Sequence, residues 1–197
     1  MSRHDAIPLT PELLVAAYTA GLFPMDVDGQ IQWFSPDPRA IIPLDEFHAS
    51  HTLRQTCRQG RFEVRIDGDF EAVMRGCADR AEGTWISEEI IEAYVTLHHL
   101  GLAHSVESWR NGELAGGLYG VALGGAFFGE SMFSRQRDAS KVALVALVQR
   151  MRDRGMTLLD IQFLTPHLAR FGAREIPRDE YLDRLQAALA IETRFAD

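Results

Sequence analysis

The chain has 197 residues, of which 46% are hydrophobic and 24% charged, and its formal net charge is −8. This profile is typical of a soluble globular protein with one full core, and the acidic balance excludes a protein that coats nucleic acid nonspecifically, although not one that grips a single RNA end. No apolar run is long enough to predict a transmembrane helix, and MSRHDAIPLTPELL lacks the apolar centre of a signal peptide. Two cysteines without a CxxC spacing favour a reduced, cytosolic compartment.

The N-terminal region predicts one helix and then a loop. Thr10 caps a helix over TPELLVAAYTAG, which ends at Gly21. The following segment FPMDVDGQIQWFSPDPRA is rich in Pro, Asp and Gly, and predicts a loop with one short strand at Ile31–Phe34. We place the boundary there, between a small N-terminal part, residues 1–36, and a main domain, residues 37–197.

The main domain begins with a short basic helix from Ser50 to Gly60 and a strand at RFEVRID, followed by helices capped by Asp69 and Ser87.

The second half of the chain predicts a meander and a central strand. Three strands are joined at Asn111-Gly112 and Gly124-Gly125, which are favoured two-residue hairpin turns. A helix from about Ala139 to Arg154 leads to TLLDIQFL, whose nearly continuous apolar run is typical of a central strand. Pro177 opens the last helix. The order of these elements predicts an α+β fold.

Asp160 and Gln162 are the sharpest candidate pair for chemistry. They lie two apart in a strand and therefore on one face, with Leu159, Ile161 and Phe163 on the other. A carboxylate in a buried strand is costly unless a partner satisfies it. The alternative is an aspartate with a structural hydrogen bond or one that faces solvent, and the pattern alone does not choose.

Glu130 is the second candidate. In AFFGESMF the alternation of a strand places it on one face with the apolar Phe128 and Met132. The pattern by itself favours an exposed glutamate on an edge strand. Ser131 is not a nucleophile of the Gly-x-Ser-x-Gly type, because Phe133 occupies the second glycine position.

Arginines dominate residues 50–65, and three of them, Arg54, Arg58 and Arg61, suit contacts with RNA phosphates. A solvated helix face is the ordinary alternative. The histidines occur in two sequence clusters, but no acid or cysteine completes a ligand set, so we infer no metal.

Long stretches of the chain resemble one family. They are LTPELLVAAYTAGLFPM, WFSPDPRA, EGTWISEEIIEAYVTLHHLGLAHSVESW, GGLYGVA, GESMFSRQRDASKVAL and LLDIQFLTPHLARFGAREIPRDEYL. From about Ile7 to about Leu185 the chain is similar to the leucyl/phenylalanyl-tRNA–protein transferases. The resemblance implies a main domain like that of the GCN5-related acetyltransferases, and transfer of Leu or Phe, and Met less well, from aminoacyl-tRNA to a protein's N-terminal Arg or Lys. The product is a bacterial degradation signal, an N-degron.

The resemblance also implies site residues. Asp160 and Gln162 match the family's catalytic pair, and Glu130 matches a carboxylate near the N-terminal residue of the acceptor. Trp85 matches an aromatic residue near the terminal adenosine of the tRNA, whereas Met25 stands where the family usually has a tryptophan. The positions of the amino-acid pocket are matched by Leu118, Met132, Leu144, Leu147 and Leu159. The segment ahead of the first helix is shorter than usual for the family.

The implied reaction converts an activated ester into an amide, which is downhill, so we expect no cofactor. An unperturbed aspartate has a pKa of about 3.9 and is a poor base for an α-amine. We therefore expect Asp160 to orient Gln162, and Gln162 to hold the attacking amine. We also expect a cytoplasmic monomer that does not bind membranes.

Two alternatives stay open. An acetyl-CoA-dependent N-acetyltransferase would share the fold, but it needs a glycine-rich pyrophosphate loop before its central helix, where this chain has SRQRDASK. A non-catalytic module that binds N-degrons or RNA would bind peptides starting with Arg and leave Leu on its tRNA.

Overall fold

The computed structural model describes residues 8–196. The first seven residues of the predicted N-terminal part, which include half of the segment compared with a signal peptide, lie outside the described residues, as does Asp197. None of the described helices combines the length and the apolar character needed to cross a bilayer.

The described chain contains seven helices and nine strands. The helices are α1 (Pro11–Thr19), α2 (His51–Arg58), α3 (Phe70–Ala78), α4 (Glu88–His99), α5 (Ala139–Asp153), α6 (Pro166–Ala169) and α7 (Arg178–Leu189). The strands are β1 (Phe23–Val27), β2 (Gln30–Phe34), β3 (Arg39–Ile42), β4 (Glu63–Ile66), β5 (Ala103–Arg110), β6 (Glu113–Leu123), β7 (Ala126–Ser134), β8 (Leu158–Gln162) and β9 (Arg174–Ile176).

Seven strands form one mixed sheet in the order β4-β5-β6-β7-β8-β3-β9, and β1 and β2 form a separate hairpin. Every neighbouring pair in the large sheet is antiparallel except β7 and β8, which run parallel and are connected through α5. The predicted α+β class is therefore confirmed, as a mixed sheet with flanking helices.

Both predicted hairpin turns are present. Asn111 and Gly112 have φ angles of 55° and 78°, the left-handed pair that a tight two-residue turn requires. Gly124 has a φ of 53° at the second turn. The predicted caps at Thr10 and Asp69 are also confirmed, because their side chains accept hydrogen bonds from the amides of Leu13 and Ala72.

Other local predictions are wrong. The segment after Gly21 was predicted as a loop with one strand at Ile31–Phe34. That strand is confirmed as β2, but residues 23–27 form the unpredicted strand β1, in which Met25 pairs with Gln32. The sequence also missed β3, β9 and the four-residue helix α6. These elements are too short for a period to emerge, and β3 is stabilised by pairing with distant β8 and β9. Ser87 is the N-cap residue of α4 as predicted, but its side chain makes no capping hydrogen bond.

Two apolar cores lie on opposite faces of the large sheet. The first packs beneath α1, α3, α4 and α7, and the second beneath α2 and α5. Leu14, Tyr18 and Phe23 of the N-terminal part belong to the first core, so this part is packed into the main domain. The boundary at residue 36 stays a prediction.

Candidate active site

The strands β7 and β8 part in the middle of the sheet. Their parallel pairing covers only three residue pairs and ends at Phe128 and Asp160. An open cavity of about 290 Å³, called here the central cavity, begins where the pairing stops. Its walls include Gly129–Met132 of β7. They also include Ile161–Phe163, which follow Asp160, the last residue of β8 that pairs with β7.

A β-bulge on each strand shapes the opening. Tyr119 pairs with Ser131 and Gly120 with Gly129, which leaves Glu130 as the extra residue of β7. On β8 the pairs Ala40–Gln162 and Ile41–Asp160 leave Ile161 as the extra residue. Such bulges re-aim side chains and are common beside active sites.

The bulge corrects the expectation that Glu130 shares a face with Phe128 and Met132. Phe128 belongs to the first core and Met132 packs against the second, so the two lie on opposite faces of the sheet. Strict alternation fails because the extra residue shifts the pattern by one position. The Glu130 carboxyl group bonds to Tyr18 of the first core and so lies on the face of Phe128, and it is Met132 that the extra residue moves to the other face.

The side chain of Glu130 is partly buried and lines the central cavity. Its Oε1 accepts a hydrogen bond from the Tyr18 hydroxyl at 2.6 Å and from Gln162 Nε2 at 3.2 Å. The Tyr18 hydroxyl is also hydrogen-bonded to that of Tyr94. Burial raises the pKa of Glu130 to about 8, although the bond from Tyr18 opposes this shift. The carboxyl group of Glu130 is therefore mostly protonated at neutral pH.

Asp160 is fully buried and held by four donors. Arg39 Nε lies 2.9 Å from Oδ1 and Arg39 Nη2 lies 2.6 Å from Oδ2. The Tyr181 hydroxyl donates to Oδ2 at 2.9 Å, and the backbone N–H of Gln162 donates to Oδ1 at 3.0 Å. Asp160 thus orients Gln162 through its main chain, at a residue whose φ of 58° is uncommon outside glycine.

The apolar wall comes from the second core. Leu118 on β6, Met132 on β7, Leu144 and Leu147 on α5, and Leu159 on β8 all line the cavity. Four of these five are buried, and Met132 packs against the same core. The structure therefore brings together every residue of the predicted amino-acid pocket, while the role assigned to them stays a prediction.

Trp85 and Met25 line the opposite side of the same cavity. Both pack against the first core, whereas the apolar wall belongs to the second. The central cavity therefore passes through the sheet from one face to the other. The backbone N–H of Asp26 donates to the Trp85 carbonyl at 3.2 Å, which ties the β1–β2 hairpin to the tryptophan.

The predicted RNA-binding arginines lie elsewhere. Arg54 and Arg58 are exposed on α2, and Arg61 is exposed just beyond it. None of the three lines the central cavity. Arg61 instead lines a shallow polar cavity together with Arg110 and Arg137.

Sequence reasoning missed the partners of the predicted residues. Arg39, Tyr18 and Tyr181 complete the hydrogen-bond network, yet none belongs to a pattern that predicts a site. The only signal was Arg39 itself, a charge at the start of the apolar run RAII. An arginine with no exposed surface requires a buried anion, and the sequence offered Asp160 as one candidate.

A mostly apolar cavity with a few converging polar groups, opened where two strands part, is typical of a ligand-binding or active site. Comparison with known proteins identifies the kind of enzyme. The family model of leucyl/phenylalanyl-tRNA protein transferase matches residues 41–186, and the model of that family's N-terminal domain matches residues 8–37.

Individual relatives agree. A leucyl/phenylalanyl-tRNA–protein transferase of Herpetosiphon aurantiacus is 60% identical over 188 residues, covering 95% of this chain and 98% of the relative. One from Gloeobacter violaceus is 57% identical over 192 residues, covering 96% and 98%. The solved structure of L-PGS from Bacillus licheniformis covers 90% of this chain and 62% of its own, at 13% identity and a TM-score of 0.44, which is too distant to support an inference.

The chain belongs to the leucyl/phenylalanyl-tRNA–protein transferase family, whose members are aminoacyltransferases. The resemblance seen in the sequence is thereby confirmed.

Proposed function

We propose that this protein transfers Leu or Phe, and Met less well, from aminoacyl-tRNA to the N-terminal Arg or Lys of acceptor proteins, which creates an N-degron. The observation that carries the proposal is one cavity with two chemically different sides. One side is an apolar wall of Leu and Met. The other holds the carboxyl group of Glu130, which is hydrogen-bonded to the side-chain amide of Gln162. The first side suits the donor's amino acid and the second suits a cationic acceptor.

The donor side has no polar requirement of its own. Leu118, Met132, Leu144, Leu147 and Leu159 offer neither charge nor a hydrogen-bonding side chain. The side chain of Leu or Phe would enter this wall on one face of the sheet. The terminal adenosine would lie toward Trp85 and Met25 on the other face, so that the aminoacyl ester spans the gap between the strands.

The acceptor side is centred on Glu130. Its position beside Gln162 supports binding of the acceptor's cationic side chain next to the group that holds the attacking amine. A bound cation favours the ionised form of a neighbouring carboxyl group. Acceptor binding would therefore convert Glu130 from the protonated to the ionised form.

The proposed reaction depends more on the position of the attacking amine than on general acid–base catalysis. The neutral α-amine of the acceptor attacks the ester carbonyl, the bond from the carbonyl carbon to the ribose oxygen breaks, and an amide forms. The amine loses a proton, and the ribose oxygen gains one. Both carboxylate oxygens of Asp160 accept hydrogen bonds, from Arg39, Tyr181 and the backbone N–H of Gln162. Asp160 therefore acts as an orienting group. Gln162 would hold the amine for attack.

For the main domain, residues 37–197, we propose an acetyltransferase-like arrangement. In this arrangement, α5 stands where an acetyltransferase has the helix that follows its pyrophosphate-binding loop. The start of this helix argues against acetyl-CoA as a substrate. Asp138 lies at its N-cap and pairs with Lys141 at 2.8 Å. A carboxylate at this position would repel a pyrophosphate that a helix N-terminus otherwise favours.

We place this activity in the cytoplasm, where aminoacyl-tRNA occurs, and propose a monomer, because one chain supplies every residue of the proposed site.

The test of the proposed function is transfer of radiolabelled Leu from Leu-tRNA to a peptide that starts with Arg, with the same peptide starting with Ala as a control. Label on the Arg peptide alone supports the proposal. Binding of the Arg peptide without transfer would instead indicate a non-catalytic degron-binding module.

A further inference from the structure

Arg80 is a cation on the wall of the central cavity that the proposed reaction does not yet use. It follows α3 directly, and its side chain is exposed at the cavity rim. Nε donates to the Cys77 carbonyl at 3.0 Å, and Nη2 donates to Ser131 Oγ at 2.9 Å. The guanidinium therefore bridges the end of α3 to β7 and has a defined position despite its exposure.

The charge of Arg80 is not neutralised within residues 8–196. Its hydrogen bonds go to two carbonyls and a hydroxyl, and no described carboxylate forms an ion pair with it. Arg75, five residues earlier, is different because it binds both Glu71 and Glu88. A fixed arginine with free charge at a cavity rim is suited to bind an anion such as a phosphate.

The surroundings indicate which anion. Arg80 and Trp85 flank the same short loop and line the same cavity. The 3′-terminal nucleotide of a tRNA carries its acyl group on the ribose and its phosphodiester on the 5′ side of that ribose. An acyl group in the apolar wall and a base near Trp85 would leave this phosphate at the rim, beside Arg80.

We propose that Arg80 binds the phosphate on the 5′ side of the donor's terminal adenosine. The proposal rests on the function proposed above. It assigns two groups of the cavity to two substrates: Arg80 at the rim binds the donor and repels a cationic acceptor, while Glu130 binds the acceptor and ionises when it does so. Ser131, the partner of Arg80, directly follows Glu130, so adjacent residues of β7 hold the two charges in place.

The assignment concerns this guanidinium alone. Arg80 also lines a second, polar cavity that includes Arg135, but Asp79 and Glu82 lie there too. That cavity is therefore not basic as a whole and is no general track for RNA.

The test uses two minimal donors, leucyl-adenosine with and without a 5′-phosphate, together with an Arg-starting peptide. For the unaltered protein we expect kcat/KM to be about 10- to 100-fold higher with the phosphorylated donor, the range of a charge-assisted contact. Arg80→Gln should bring this ratio close to one and leave the unphosphorylated donor within about twofold of the original rate. Arg80→Lys should retain part of the ratio, because it keeps the charge.

Arg75→Gln is the matched control, an arginine of α3 that lies outside the cavity, and should preserve the full ratio. The proposal is overturned if Arg80→Gln slows both donors equally, since Arg80 would then only brace α3 against β7. It is also overturned if the unaltered protein shows no phosphate preference, or if it uses Leu-tRNA but not the phosphorylated nucleoside. Absence of transfer from Leu-tRNA itself would instead reject the proposed function.

Discussion

Arg39 and Asp160 form a two-point ion pair beneath the central cavity, with N–O distances of 2.9 and 2.6 Å and no exposed side-chain surface on either partner. The same guanidinium donates to the Gly21 carbonyl at 2.9 Å and packs 4.4 Å from the centre of the Tyr181 ring. Residues from the N-terminal part, the sheet and the last helix therefore meet at this one pair.

Removing one partner of this pair should be costly, because the other charge stays buried. We expect Arg39→Met to lower the free energy of unfolding by about 3–5 kcal/mol, and Asp160→Leu to do the same. The double variant should lose less than either single change. Urea unfolding followed by circular dichroism measures all three. A single variant within about 1 kcal/mol of the original protein would contradict a buried ion pair.

The carboxyl group of Glu130 should make stability depend on pH. Its pKa is about 8 in the folded protein and about 4.3 in an unfolded chain. The unfolded chain therefore loses its proton first as the pH rises, and the stability contribution of Glu130 falls between these two values and then stays level. Glu130→Gln cannot ionise, so it should gain stability relative to the original protein between pH 5 and pH 8.5. Parallel pH profiles in urea unfolding would show that Glu130 ionises freely.

Glu130 should also read the acceptor's charge. Peptides that start with Arg or with citrulline have nearly the same shape, but only Arg is cationic. We expect the original protein to prefer Arg by about 10- to 100-fold in kcat/KM, and Glu130→Gln to lose most of this preference. Turnover should fall as well, since Glu130 holds the Gln162 amide. Glu113→Gln, an exposed acid of β6, is the control. A preference that survives in Glu130→Gln would assign recognition to another residue.

The apolar wall should select donors by shape. Leu and Phe branch at Cγ, whereas Ile and Val branch at Cβ, close to the ester that we propose lies between the two strands. We expect transfer from Ile-tRNA to be slower than from Leu-tRNA by about 10- to 200-fold, the range that shape alone achieves. Transfer rates from matched aminoacyl-tRNAs measure this directly. Equal rates for Ile and Leu would reject the assigned pocket.

The exposed arginines of α2 should contact tRNA phosphates outside the central cavity. Replacing Arg54 and Arg58 with Ala should raise KM for Leu-tRNA and reduce the slope of log affinity against log salt by about one per lost contact. Leucyl-adenosine should react as before. Arg184→Ala on α7 is a control for the loss of an exposed arginine. Equal losses with both donors would mean that α2 matters only for folding.

The sequence predicted the elements that carry their own local signals. The Asn111-Gly112 turn, the cap at Asp69 and the long helix over Ala139–Arg154 each depend on residues close together in the chain. The strand β3 was missed because four residues with no exposed face look like a loop until β8 and β9 pair with them.

The site shows the same division. Of the residues that the family resemblance assigned, all but Asp160 line one cavity, and Asp160 lies buried beneath it. The reason for their geometry, an extra residue at Glu130 and another at Ile161, depends on strand register and cannot be read from a strand's own alternation. For the same reason, Tyr18 could not be recognised as a partner before the fold was known, and Arg39 gave only the weak signal of a charge beside an apolar run.

The position of Tyr181 on the last helix has a consequence for protein synthesis. Tyr181 donates to Asp160 and its ring covers the Arg39 guanidinium, so the orienting network is incomplete until α7 has packed. During translation, Asp160 and Gln162 of β8 are synthesised before α7, which leaves the ribosome later. We therefore expect the network around Asp160 to be completed only after α7 has left the ribosomal exit tunnel.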